Sequence, residues 1–177
     1  MPSSRVLKLT KIHPTRLPQE TLLESCAVKR TRGSGPGGQH RNKVETAIVI
    51  THTPTGVVGQ ASEKRSQKQN RDVAVERLRL NLALAVRSEL ASEPQPSECW
   101  LSRIKAKKII VSPSHFDYPA LIAEALDFVA FHSFDVSTAA NAMGVSTSQL
   151  VKFFKTCPPA FEMVNRERAK LDLHRLG

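Results

Sequence analysis

Gly33-Ser34-Gly35-Pro36-Gly37-Gly38-Gln39 is the stretch of this 177-residue chain whose residue types and spacing point most directly to chemistry. Four glycines and a proline keep the segment out of regular structure, and glycine lets a backbone approach a partner closely. Lys29, Arg30 and Arg32 precede it, Arg41 and Lys43 follow it, and no acid occurs between Glu24 and Glu45. A flexible backbone tip inside a positive collar suits a space walled by phosphate.

Other glycine-rich motifs fit less well. Gly33, Gly35 and Gly38 satisfy the spacing of a dinucleotide fingerprint, but that motif needs a helix to open at the third glycine. Here Gln39-His40-Arg41-Asn42 leads quickly into a β-branched run from Val44. A phosphate-binding P-loop would need Lys after Gly38, where Gln39 stands. A plain structural loop accounts for the glycines but not for the basic collar. Gln39 cannot titrate, so it cannot be a general base. His40 is the nearest titratable candidate and reads as a loop or RNA contact. No carboxylate pair or Ser-His-Asp set lies nearby.

The segment from Arg32 through Gln39, His40, Arg41, Asn42 and Lys43 to Ala47 resembles the catalytic-domain signature of class I peptide chain release factors. The likeness continues through His52-Thr53-Pro54-Thr55-Gly56 and again through Glu63-Lys64-Arg65-Ser66-Gln67, with Asn70 and Arg71 behind it. The resemblance implies hydrolysis of the ester joining a nascent peptide to tRNA. The implied partners are the large-subunit RNA of the ribosome and the P-site peptidyl-tRNA. Gly37 and Gly38 would shape the backbone. The Gln39 N–H would stabilise developing charge, and its side chain would order the attacking water. In that family the matching glutamine is N5-methylated by a dedicated methyltransferase. Arg30, Arg32, His40, Arg41, Asn42, Lys43, Arg65, Ser66, Gln67, Asn70 and Arg71 are the candidate RNA contacts or loop supports. A capped, solvated helix start is the plainer reading of positions 65–71. About 30 residues precede the loop, so the expectation is no codon-recognition domain and membership of the short, codon-independent branch that rescues stalled ribosomes.

The elements that must position these groups read as an α+β domain followed by an all-α module. Cys26–Thr31 and Val44–His52 read as strands, and Thr53–Gly56 as a turn returning into strand Val57–Gln60. Arg65–Leu90 reads as a long covering helix with Ser66 as N-cap. Val75, Leu78, Leu82 and Val86 would face the sheet, and Arg71, Arg77, Arg79 and Arg87 solvent. The domain division is 1–91, a linker at 92–117 holding the basic stretch with Lys105, Lys107 and Lys108 as further RNA contacts, and a helical module at 118–177. Within that module, Pro119–Phe131, Val136–Met143, Thr147–Lys155 and Ala160–Leu173 read as helices. Val136–Phe153 resembles a helix-turn-helix, with Ala140 at the helix contact, Gly144 at the turn, and Met143, Val145, Leu150 and Phe153 inside. DNA reading is disfavoured by the few charges on its second helix, and the module's partner stays open.

The bulk properties agree with a polyanionic partner. The formal net charge is +10. Residues 1–110 carry 20 Lys/Arg against 9 Asp/Glu, and residues 111–177 carry 6 against 7, so the polyanion surface belongs mainly to the first part. Nine aromatic residues in all (7 Phe, 1 Tyr, 1 Trp) do not make a base-stacking platform. Cys26, Cys99 and Cys157 are far apart, which reads as thiols in a reducing, cytoplasmic setting. The six histidines show no ligand spacing, so neither metal nor cofactor is expected. No membrane-spanning run is visible. Residues 1–19, basic and free of acid, resemble a mitochondrial presequence, although Pro14 and Pro18 favour an extended arm. Two readings outside hydrolysis remain: a non-catalytic ribosome- or RNA-binding regulator, and a transcriptional regulator acting through the helix-turn-helix.

Overall fold

A computed structural model describes residues 7–9, 12–31 and 46–177. The segments 32–45, which contain Gly37, Gly38, Gln39 and the loop's flanking residues Arg32, His40, Arg41, Asn42 and Lys43, lie outside the described residues. The protein is a mixed α and β molecule, as expected. Its contacts divide it into two units: one from Pro14 to Ala85 together with Met1–Leu7, the other from Val86 to Gly177 together with Lys8–His13.

Strand β1 (Leu7–Leu9) comes first. The first unit is then built from a 3-10 turn (Pro14–Arg16), helix α1 (Gln19–Glu24), strands β2 (Cys26–Thr31), β3 (Ala47–His52) and β4 (Val57–Ala61), and helix α2 (Gln67–Ala85). The three strands form an antiparallel sheet in the order β2-β3-β4. Its β3–β4 turn is the predicted one. Gly56 takes φ +69, and its N–H donates to the His52 carbonyl at 2.8 Å, a conformation that favours glycine. Helix α2 packs on β3 and β4, burying Val75, Leu78 and Leu82 with Ile48 and Ile50. Each large apolar side chain so buried contributes about 1.5–3 kcal/mol. Gly59 makes the close approach possible, because a Cβ there would overlap the Ala74 carbonyl and the Leu78 amide. Two side chains one helical turn apart then cap the β4 edge. Arg77 donates to the Gln60 carbonyl at 2.8 Å and Asn81 to the Val58 carbonyl at 2.7 Å, which satisfies carbonyls that would otherwise face outward.

The covering helix departs from expectation at its C-terminal end and on one face. It stops at Ala85, and Val86–Ser88 form strand β5, paired with β1. No Gly or Pro marks that stop; a non-local strand pairing overrides the local helical preference. Arg79 and Arg87 do not face solvent. Arg79 is buried and donates to the Thr15 carbonyl at 2.8 Å. Position 79 lies four residues after Val75, on the same helical stripe, so its burial follows from spacing. Arg87 is buried on β5 beside Asp127, 3.6 Å away. Burial pushes its guanidinium below the ordinary range, against the opposing pull of Asp127.

The second unit holds β5, α3 (Glu98–Leu101), β6 (Ile104–Lys105), β7 (Lys108–Ile109), α4 (Tyr118–Phe131), α5 (Val136–Ala142), α6 (Thr147–Lys155) and α7 (Pro158–Lys170). The stretch expected as linker is therefore partly structured. Ser97 caps α3 by accepting from the Trp100 N–H at 3.1 Å, and donates its own N–H and Oγ to buried Glu124, both at 2.6 Å. Trp100 is fully buried, and its Nε1 donates to the Met143 carbonyl at 2.9 Å. Polar composition suggested a linker; one tryptophan makes the segment part of a core. Two capped helices flank Gly144. Asp135 caps α5 and Ser146 caps α6, Gly144 takes φ +70, and Ala140, Met143, Val145, Leu150 and Phe153 are buried.

Candidate functional site

Strands β2 and β3 form the frame that flanks residues 32–45. Their register runs from Cys26↔His52 to Thr31↔Ala47, so two residues that bracket this stretch are paired neighbours. The β2 side of this frame is open: Ala27, Val28, Lys29 and Arg30 are all exposed. Lys29 and Arg30 are adjacent on a strand, so they point to opposite faces of the sheet.

The start of α2 is fastened to the same frame by Asn70. Its Nδ2 donates to the Thr46 carbonyl at 2.6 Å and to the Lys64 carbonyl at 2.9 Å, and its Oδ1 accepts from the Lys64 N–H at 2.9 Å. The side chain is fully buried. Of the two readings of Asn70, RNA contact or loop support, its burial and backbone partners fit the support. It is the support that ties the chain at Thr46, just before β3, to the approach of the helix. An amide suits this place because it offers two donors and an acceptor without charge.

The other residues of the helix-start block differ from Asn70. Arg65, Ser66 and Arg71 are exposed, and Gln67 is half-buried. Ser66 stands directly before the first helical residue, and its Oγ accepts from the Gln69 N–H at 3.5 Å. Glu63 pairs with Arg77, and that guanidinium, with the Ser62 and Glu63 amides, holds its carboxyl below the usual range. The structure thus brings Arg30, Arg65, Ser66, Gln67, Asn70 and Arg71 into one unit, while Lys105, Lys107 and Lys108 lie on the β6–β7 hairpin of the other. Sequence reasoning missed Thr46, Gly59 and Asn81. A glycine inside a strand was the available signal for Gly59, and the i, i+4 spacing of Arg77 and Asn81 was the signal for the capped edge. Among the described residues, no cluster of three His, Cys, Asp or Glu could hold a metal ion. No helix among them is long and apolar enough to cross a membrane.

A model of the RF-1 domain matches residues 20–111, just over half of the chain. The chain belongs to the RF-1 domain family. Peptide chain release factor 1 of Xylella fastidiosa (strain 9a5c) is 54% identical over 61 residues, covering 34% of this chain and 17% of that protein. Peptide chain release factor 2 of Acidovorax sp. (strain JS42) is 57% identical over 51 residues, covering 29% of this chain and 14% of that protein. The matched part of this RF-1 domain protein is thus under a fifth of the length of either relative. The resemblance to class I release factors read from residues 32–71 holds at the level of the family, and residues 112–177 lie beyond the matched domain.

Proposed function

We propose that this RF-1 domain protein hydrolyses the peptidyl-tRNA ester on the ribosome, without reading a codon, and so frees stalled ribosomes. The observation that carries the reading is the order Gly37-Gly38-Gln39, His52–Gly56 and Glu63–Arg71 inside a matched RF-1 domain. The antiparallel frame at Thr31 and Ala47, fastened through Asn70, supports it. In this mechanism Gly37 and Gly38 set the backbone, the Gln39 N–H stabilises charge on the reacting oxygen, and the Gln39 side chain orders water. Ribosomal RNA supplies the rest of the site. Arg30, Arg32, His40, Arg41, Asn42, Lys43, Arg65, Ser66, Gln67 and Arg71 hold the domain against RNA phosphates. Gln39 is the residue a glutamine methyltransferase would modify, and the setting is cytoplasmic.

Peptide release should be measured on ribosomes whose mRNA ends at the P site and on ribosomes with a sense or stop codon in the A site. Comparable or faster release on the truncated message is expected. Release only at stop codons would contradict codon independence. Firm ribosome binding with no release on any of the three would favour the non-catalytic regulator.

A further inference from the structure

The sequence treats the lysine-rich stretch at 105–108 and the helix-turn-helix as separate features. In the second unit they are neighbours, because strand β7 packs against helix α6. We propose that hairpin β6–β7 and the outer face of α6 together bind the backbone of a double-helical RNA, independently of its sequence. The inference deepens the function proposed above by giving the second unit an RNA partner, and it rests on that reading for the choice of RNA.

The hairpin concentrates like charge in a way that an external anion would relieve. Ile104 pairs with Ile109 and Lys105 with Lys108, so two lysines stand directly opposite across the ribbon, where like charges repel. The two-residue turn places Ala106 at φ +49 and Lys107 at φ +60. That left-handed pair matches the twist of a tight hairpin, but Asn-Gly is its favoured sequence. The turn thus holds a third lysine at the tip in a backbone conformation that L side chains resist. Lys105, Lys107 and Lys108 are all exposed. Polyphosphate beside them removes the repulsion.

Helix α6 adds exposed lysines to the same unit. Leu150, Phe153 and Phe154 are buried, with Phe153 edge-on to Trp100 at 5.9 Å and to Tyr118 at 5.8 Å. This packing fixes the helix and leaves Ser148, Lys152 and Lys155 exposed at i, i+4 and i+7. Neither α5, α6, β6 nor β7 contains an acid. Several acids elsewhere in the unit are committed: Asp117 to Arg103 at 2.6 Å, Glu162 to Arg175 at 2.8 Å, Glu167 to Lys170 at 2.8 Å, and Asp127 to the buried Arg87.

The RNA arm of the proposal rests on two points of side-chain chemistry. Exposed lysines neutralise phosphate as point charges, and α6 carries no arginine, the residue whose planar fork most often reads guanine in a DNA major groove. Its Thr147, Ser148 and Gln149 are hydroxyl and amide groups suited to the 2′-hydroxyls that line the shallow minor groove of an A-form duplex.

The test is anisotropy titration of the full chain against an RNA duplex of about 20 base pairs, long enough to present successive minor grooves. A DNA duplex of the same sequence and the single RNA strands are the comparison arms, each over a range of salt. Tightest binding to duplex RNA is expected. The Lys105→Glu/Lys107→Glu/Lys108→Glu variant should bind at least about tenfold more weakly with a shallower salt slope, by roughly one unit per lost phosphate contact. Lys152→Gln/Lys155→Gln should act in the same direction without reversing charge. Unchanged affinity and slope in both variants would overturn the proposal, as would equal or tighter binding to DNA or to single strands. No ribosome is present, so the result is independent of whether peptide release is found.

Discussion

Asn70 shows how one residue can matter to a site without touching a substrate. All three of its side-chain hydrogen bonds hold backbone in place, one of them at Thr46, 24 residues earlier in sequence. Nothing local reveals that partner, so the sequence left Asn70 between RNA contact and loop support. Asn70→Ala should lower stability by about 3 kcal/mol in urea unfolding, since buried backbone groups lose their partners. Release per bound protein should fall while ribosome affinity holds. His52 gives a second residue-scale expectation. It is buried, with Nδ1 at 2.8 Å from the Thr55 Oγ1, and burial pushes its imidazole below the usual value. The folded state therefore favours neutral His52. Its contribution is complete above the unfolded pKa, about 6.5, and is lost as pH falls through the lower folded value. Urea midpoints between pH 7.5 and 5 should decline, and His52→Gln should flatten that decline; an unchanged slope would reject this assignment.

Elements were legible where local signals and tertiary packing agree. Thr147–Lys155 was read with the bounds it has, because Ser146 caps it and its apolar residues recur on one face. The end of α2 was not legible: Leu82 to Leu90 contains no breaker, and the strand that captures Val86–Ser88 lies near the N-terminus. The β6–β7 hairpin was hidden for a related reason, since its turn is Ala106-Lys107 rather than a glycine pair. At Gly59 the helix backbone lies within 2.2 Å of where a Cβ would stand. Gly59→Ala should cost about 3 kcal/mol, because backbone on the helix must shift to admit a methyl group. A thermal melt checks this, and a variant as stable as wild type would contradict the packing described here.

At the scale of the molecule, the matched RF-1 domain runs from the first unit into the second, through the lysine hairpin. The fold of the first unit was readable because strand, turn and covering-helix signals fall in sequence order. Residues 33–39 stand out by composition, but they lie outside the described residues, and what they do rests on resemblance. The central claim is that the main-chain N–H at position 39 promotes hydrolysis. Gln39→Pro removes that donor, and Gln39→Ala keeps it. Single-turnover peptide release on ribosomes lacking an A-site codon, with bound protein quantified in the same samples, separates the two. Gln39→Pro should lose roughly 10²-fold or more and Gln39→Ala distinctly less, both at wild-type occupancy. Release by bound Gln39→Pro at the wild-type rate would contradict the account.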